Sequence, residues 1–481
     1  MKQIFFRNLI FLLALNLLIK PLYVLGVDRT VQNLIGHEAY GLYFALFNLS
    51  ILFSIILDIG ITNYNNRIIA QQPTLIKKYL SNILTLKVLL FILYCIITII
   101  VAAILHPTRE GYYILGLLIL NQGLNSLLLY LRSNLSALQF LKLDSFLSIL
   151  DKLIVILLFS WLYYFKPFNG EFKIEWLIYS QTVSYLVVII VAAILLLQRI
   201  PKLQFSFELS VIKTIWKESY LLAFIVLLMG IYSRTDAVLL KYLLGDIGNV
   251  QAGIYASSFR LLDAANQFGF LFAALLLPIF SRLIRRGQKV DELVAVSFKI
   301  IFIFSWMIAV ICLFFKNEIM QTLYQDTTVY SADTLGILMF ALPGASTVYI
   351  FGTLLAANRS LKQLTIAVGV AVVINLSLNI ILIPTYQCLG AAIAAVSTQV
   401  FIGTVELFIS KKIFHLKINY LLLGKLIGFS LMTLLIVYST HTFIHSLFLG
   451  IIAGVFISLL VAFTLKLFEF KKIKSILSSE E

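Results

Sequence analysis

EWLIYSQTVSYLVVIIVAAILLLQ, residues 175–198, passes from Trp176 to Leu197 without a single charge. A helix rises about 1.5 Å per residue and the hydrocarbon core of a bilayer is about 30 Å thick, so roughly 20 apolar residues cross it. Segments of the same kind precede it at about 6–34, 40–66, 83–106, 112–131 and 145–165. Others follow at about 219–244, 252–281, 293–315, 333–357, 363–384, 389–410, 420–440 and 446–467, which makes fourteen with the first. The connections are short, the longest polar ones being about 199–218 and 316–332, and none could fold as a separate soluble domain.

Composition agrees. Hydrophobic residues make up 61% of the 481 and charged residues 12%, with a mean hydropathy of +1.00. Such a chain cannot cover a water-facing surface with polar groups, and places its apolar surface against lipid instead. The fold class read from this is an all-α integral membrane protein of about fourteen transmembrane helices. Cys95, Cys312 and Cys388 are odd in number and lack motif spacing, so neither a disulfide framework nor a zinc site is indicated. The net charge of +15 is spread in short clusters between apolar segments. That is topology information, and no nucleic-acid partner is expected. Lys2 to Arg7 and the apolar run behind them resemble a signal peptide, but no small-residue cleavage site follows, and the segment reads as an uncleaved first helix.

Orientation follows from the basic residues. With the N-terminus inside, Lys77 and Lys78, Arg199 and Lys202, Arg282 to Arg286, Lys411 and Lys412, and Lys471 to Lys474 all fall on the cytoplasmic side. The other side carries Arg109, Lys166, Lys173, Lys241 and Lys316. Both termini are therefore expected in the cytoplasm.

An internal repeat is also visible. Leu34-Ile35-Gly36, a short polar loop, then Gly41-Leu42-Tyr43 is matched by Leu243-Leu244-Gly245, a longer loop, then Gly253-Ile254-Tyr255. Ser136-Ala137-Leu138-Gln139-Phe140-Leu141-Lys142 is matched by Ala356-Ala357-Asn358-Arg359-Ser360-Leu361-Lys362. These equate helices 1–6 with 7–12. Six is even, so the halves keep one orientation and are expected to be related by an axis along the membrane normal.

The pattern Leu34-Ile35-Gly36, Tyr40-Gly41-Leu42-Tyr43, Asp58-Ile59-Gly60-Ile61 and Arg67 resembles the Wzx-type polysaccharide exporters of the multidrug/oligosaccharidyl-lipid/polysaccharide (MOP) superfamily. The second half agrees through Asp236, Gly253-Ile254-Tyr255-Ala256, Arg260-Leu261-Leu262, Pro278 with Ser281, Ile383-Pro384-Thr385-Tyr386 and Gly390-Ala391-Ala392-Ile393-Ala394. The resemblance covers nearly the whole chain. It implies two pseudo-symmetric six-helix bundles around a central cavity, over 1–205 and 206–415, with two additional C-terminal helices and a tail over 416–481. It also implies a flippase that moves an undecaprenyl-diphosphate-linked oligosaccharide, an O-antigen or capsule-type unit, across the cytoplasmic membrane by alternating access.

Charges within the apolar segments are the candidate site. A charge at the bilayer centre costs about 2.5–3.5 kcal/mol on insertion scales, so Lys20, Asp28, Arg29, Asp58, Arg234, Asp236, Arg260 and Asp263 are expected to face a watery cavity or each other. Arg260, seven residues beyond Gly253, lies about 10 Å inside the outer face. Polar residues recur at helical spacing as Asn16, Lys20 and Tyr23; as Asp58, Thr62 and Asn65; as Asn121, Asn125 and Arg132; as Ser257, Arg260, Ala264 and Gln267; and as Gln399, Gly403 and Glu406. Such stripes suit a shared hydrophilic lumen, or hydrogen bonds that only join helices. Guanidinium forks match a diphosphate, which makes Arg29, Arg234 and Arg260, with Lys20 as a fourth, the expected headgroup contacts. The alternative is local pairing of Arg260 with Asp263, of Arg29 with Asp28 or Glu38, and of Arg234 with Asp236 or Asp58. Asp58 and Asp236 could instead bind a coupling H+ or Na+. Pro21, Pro278 and Pro343 interrupt helices 1, 8 and 10 and provide bends.

No G-x-x-x-x-G-K-[ST] loop occurs, so no ATP hydrolysis, cofactor or catalysis is expected, and the membrane potential or an ion gradient must drive transport. The rivals are a cation-coupled multidrug exporter of the same superfamily, a lipid II flippase and, more distantly, a membrane glycan polymerase or ligase. A membrane-impermeant thiol label on intact cells should reach a cysteine placed at Thr108 or Asp326 and miss one at Lys77 or Arg286. The reverse pattern would overturn the orientation.

Overall fold

A computed structural model describes residues 19, 21–166, 172–198, 208–416 and 419–468, and all regular structure among them is helical. Of the candidates read from the sequence, Asn16 and Lys20 lie outside the described residues, as do residues 6–18 of the first span. The helices are α1 Arg29–Phe53, α2 Ile61–Gln71, α3 Ile76–Leu105, α4 Arg109–Ala137, α5 Leu141–Phe165, α6 Ile174–Leu197 and α7 Leu209–Leu243. They continue with α8 Gly248–Arg285, α9 Asp291–Phe314, α10 Lys316–Leu323, α11 Val329–Leu338, α12 Ala341–Ala357, α13 Leu361–Phe414, α14 Tyr420–Phe443 and α15 Leu447–Thr464. The chain forms two compact units, 1–253 and 254–481.

Among the described residues, twelve helical stretches are long and apolar enough to cross a membrane, and two of them hold a one-residue reversal. Gly36 (φ 76°, ψ 175°) turns the chain between the end of the first span and the second. Gln387 (φ 51°, ψ −130°) does so within the 54 residues of α13, which would be about 80 Å long if straight. Divided there, the twelve become fourteen crossings. The polar loop expected after Gly36 is thus a corner of one residue.

Two further expectations change. Residues 40–66 are not one helix: α1 ends in a 3₁₀ turn at Ser54–Leu57, Ile59 and Gly60 take positive φ (45° and 76°), and α2 begins at Ile61. The span over 333–357 breaks between α11 and α12. Pro343 has no N–H to give the Met339 carbonyl, which accepts from Leu342 instead, at 3.1 Å. Near the other end of the chain, Pro21 is followed by a π-helical turn, Tyr23–Asp28.

The repeated sequence is a repeated backbone motif. Phe140 N donates to Leu135 O and Ser360 N to Leu355 O, both at 2.9 Å, while Gln139 (φ 67°) and Arg359 (φ 58°) occupy the left-handed position between. Each closes a helix and satisfies its last carbonyls.

In the first unit, Leu80, Ile83, Leu128, Leu135, Leu147 and Val188 join α3, α4, α5 and α6 in one core. Its tightest backbone contact sits on the glycines of the repeat. A Cβ on Gly41 would lie 1.8 Å from the Asn249 carbonyl oxygen, and one on Gly253 would lie 2.0 Å from that of His37. Gln32 Nε2 adds a hydrogen bond to Gly253 O at 2.9 Å. In the second unit, α14 and α15 pack on α9 through Ile303, Met307, Phe429 and Ala462. Trp306 Nε1 donates to Ser430 O at 3.2 Å, and His441 meets Glu318 of α10 at 3.1 Å. Their other faces, with Leu431, Leu435, Ile452 and Phe456, are exposed as lipid-facing surface must be.

Replacing Gly41 by alanine forces two backbones apart and should cost about 2 kcal/mol, read as a lower melting temperature in detergent. Alanine at Gly424, which has nothing within 4 Å of a Cβ, should leave melting unchanged. Equal behaviour of the two would remove the close-packing account.

Candidate functional site

The break between α1 and α2 creates the site. Inside a membrane the freed carbonyl of Leu57 needs donors from the protein. It receives two: Lys87 Nζ of α3 at 3.1 Å and Ser126 Oγ of α4 at 3.1 Å. Lys87 also donates to Ser126 Oγ at 2.8 Å and pairs with Asp58 Oδ1 at 3.1 Å. Its three N–H groups are therefore all used. Its side chain is 7% exposed and that of Asp58 30%, and the Tyr130 ring centroid stands 5.6 Å from the ammonium. From the other side, the Thr62 hydroxyl and the Thr62 N–H (3.3 Å) both donate to Asp58, which satisfies a free donor of the first turn of α2.

Three cavities of the first unit meet at this pair. One of about 390 Å³ is the most polar of them, with Ser54, Asp58, Thr62, Asn63, Gln122 and Asn125 among its walls. A second of about 340 Å³ runs along α2 and α7 past Asp58, Asn63, Tyr64 and Arg67. The Arg67 guanidinium is exposed and lies 5.6 Å from the Tyr64 ring. The third, of about 570 Å³, is bounded by α3 and α4 and is almost wholly apolar apart from Thr85, Lys87 and Ser126. A polar volume of this size, sunk in an apolar bundle, can hold a hydrated headgroup or a partly dehydrated cation.

The sequence-derived candidates distribute as follows. Arg29 is half-buried at the start of α1, and Arg234 is half-buried in α7, where Asp236 is buried. Arg260 is buried and Asp263 half-buried in α8, within the second unit. All five are engaged by polar, ring or electrostatic contacts. Asp58 is the candidate that borders two polar cavities.

Some polar stripes join helices. Asn65 Nδ2 donates to Asn134 Oδ1 at 2.9 Å, and Asn121 Nδ2 donates to Ile178 O at 3.1 Å. Gly403 packs on Thr347 and the Gly344 carbonyl, and buried Glu406 lies against Gly352, so that stripe faces α12. Lys87 was passed over in reading the sequence, although a lysine with twenty-one uncharged residues behind it is itself the signal. Lys152 was passed over too. It pairs with Asp151 at 3.1 Å, stands over the rings of Tyr23 (5.2 Å) and Tyr185 (5.8 Å), and lies in the field of buried Asp28.

Residues 5–284 match the family described as polysaccharide biosynthesis protein. The chain belongs to that family. No curated protein matches its sequence. Among solved structures, this family member is similar to the lipid II flippase MurJ in an inward closed conformation, at 16% identity and TM-score 0.65 over 96% of this chain and 97% of that one. It is similar also to an inward-facing multidrug resistance MATE transporter of the MOP superfamily, at 16% identity and TM-score 0.65 over 82% and 94%. A third is a MOP superfamily transporter from Pyrococcus furiosus described as having a binding pocket of reversed polarity, at 14% identity and TM-score 0.62 over 85% and 95%. At these identities the likeness is one of fold, and the chain is a multi-pass membrane protein with the fold that MOP transporters share.

Changing Lys87 to methionine leaves the Asp58 carboxylate without its counter-charge and the Leu57 carbonyl with one side-chain donor in place of two, and should cost about 3 kcal/mol of stability. Adding Asp58→Asn to it should return part of that loss, and the coupling between the two sites is read from melting temperatures of both single variants and the double. Strict additivity would mean that the ion pair holds nothing.

Proposed function

We propose that the protein is a flippase that carries a diphosphate-linked oligosaccharide from the inner to the outer leaflet of the cytoplasmic membrane, with both termini in the cytoplasm. The observation that carries the reading is a polar cavity edged by Asp58, Gln122 and Asn125 within a polysaccharide biosynthesis family member. A fold shared with a lipid II flippase supports it. The glycan enters the polar volume while the lipid stays in the apolar surroundings. Arg29, Arg234 and Arg260, with Lys20, contact the diphosphate, because guanidinium forks and ammonium groups at these depths supply charge-assisted bonds that neutral lipid cannot use. An O-antigen or capsule-type repeat unit is the cargo that fits the family description.

Outward movement of an anion across an inside-negative membrane gains about 2.3 kcal/mol per charge per 100 mV. The potential alone therefore favours export. A second reading is cation-coupled export of drugs. The likeness to a MATE transporter and the carboxylates Asp58, Asp236 and Asp263, suited to H+ or Na+, favour it.

In cells lacking the protein, labelled lipid-linked glycan should accumulate on the cytoplasmic leaflet and be cleared by wild type. Arg29→Ala, Arg234→Ala and Arg260→Ala should each slow clearance about tenfold or more, the worth of one charge-assisted bond. Clearance by all three variants would discard the arginine site, and no accumulation would favour the drug exporter. In vesicles, flipping should rise with an inside-negative potential; indifference to it would refute potential-driven export.

A further inference from the structure

The α3–α4 cavity is at once the largest of the three and the least polar, and the flippase reading alone gives it no occupant. Its walls are Leu84, Val88, Phe91, Leu120, Leu124 and Leu127. Val88, Leu89 and Leu120 are exposed, so the cavity is open on that side between the two helices, and an exposed apolar mouth of this kind suits lipid. Gly123 leaves room for the Phe91 ring in the wall: a Cβ there would fall 2.4 Å from that ring. At its inner end are Lys87 and Ser126, and behind them stands Asp58, which belongs to the polar cavity. The Asp58–Lys87 pair is therefore a partition one ion pair thick, with an apolar volume on one side and a polar volume on the other.

Charge and polarity decide what such a junction can take. Lys87 lies eighteen residues, about 27 Å, from the end of α3 and four residues inside the apolar stretch that begins at 83, so it stands toward one face of the hydrocarbon core. A lipid whose one long chain is joined through phosphate to a sugar matches all three parts at once, the chain in the apolar cavity, the sugar in the more polar one and the phosphate at the ammonium between them. Asp58 keeps both donors of Thr62 when Lys87 leaves it, so the exchange of carboxylate for phosphate at the ammonium strands neither group.

We propose that the α3–α4 cavity holds the polyisoprenoid chain of the crossing lipid-linked substrate, with Lys87 exchanging Asp58 for its phosphate at the partition. This rests on the flippase reading and adds to it a place for the chain and, besides the arginines and Lys20, a further cation for the phosphate.

The test uses the full-length protein in proteoliposomes with three photoactivatable probes: a polyprenyl diphosphate with a diazirine on its chain, the corresponding uncharged polyprenol, and a phosphatidylcholine with a diazirine on one chain. The diphosphate should label peptides spanning 84–91 and 120–127 about tenfold more than either of the others, the worth of one charge-assisted contact at the ammonium. Leu120→Trp and Val88→Trp, at exposed positions in the mouth where folding is not at stake, should each cut that labelling severalfold. Lys87→Met should reduce labelling by the diphosphate to the level of the polyprenol. Equal labelling by phosphatidylcholine would make the cavity a resting place for bulk lipid and overturn the proposal. Equal labelling by polyprenol would remove Lys87 from it. Flipping by wild type without labelling of α3 or α4 would sink the proposal alone, whereas labelling without flipping would sink the flippase reading and leave the chain site standing.

Discussion

A backbone carbonyl that loses its helical partner inside a bilayer has no water to turn to, and the first unit is arranged around one such carbonyl, that of Leu57. The chain unwinds over Ser54 to Gly60, and the oxygen that this frees draws Lys87 and Ser126 inward from two other helices. Once a lysine is brought to that depth it needs an anion, and Asp58, at the same break, supplies it. Thr62 then holds Asp58 from the first turn of the next helix. One local departure from helical geometry thus recruits a cation, an anion and two hydroxyls from four elements, and three cavities meet where they stand.

The rest of the scaffold serves to keep such breaks affordable. Helices that meet through glycine, as at Gly41 and Gly253, gain dispersion contact over their whole backbones where no hydrophobic force distinguishes helix from lipid. The paired cap motifs ending at Phe140 and Ser360 close their helices without outside donors. Polar side chains that would burden a lipid-facing surface are turned inward, as Asn65 is toward Asn134 and Asn121 toward α6.

Hydropathy makes the crossings legible because it sums over some twenty residues, and even the doubled spans resolve once Gly36 and Gln387 are recognised as corners. The repeat was legible too, since Gln139 and Arg359 lie at matching places in matching words of sequence and share a left-handed backbone. Local geometry was less so. Asp58, Thr62 and Asn65 carry ideal helical spacing, yet the helix between them begins only at Ile61, because a glycine next to an isoleucine at positive φ does not disturb an average. Lys87 was hidden by the strength of the apolar signal around it. A stripe such as Gln399, Gly403 and Glu406 has the same spacing whether it lines water or seats against α12, and only the packing of Gly344 and Gly352 distinguishes the two.

Corners of a single residue also bear on how such a chain can change over generations. At Gly36 and at Gln387 two crossings are joined with no slack, and an added residue would rotate everything beyond it by about 100°, the turn that one residue makes in a helix. Lipid-facing and inward-facing sides would exchange places along a whole span. Residues can therefore be added at such a joint only with a turn that absorbs the rotation, as at the counterpart of Gly36, where Gly245 and Gly253 stand three residues further apart than Gly36 and Gly41 and the chain makes a 3₁₀ turn over Gly245–Ile247.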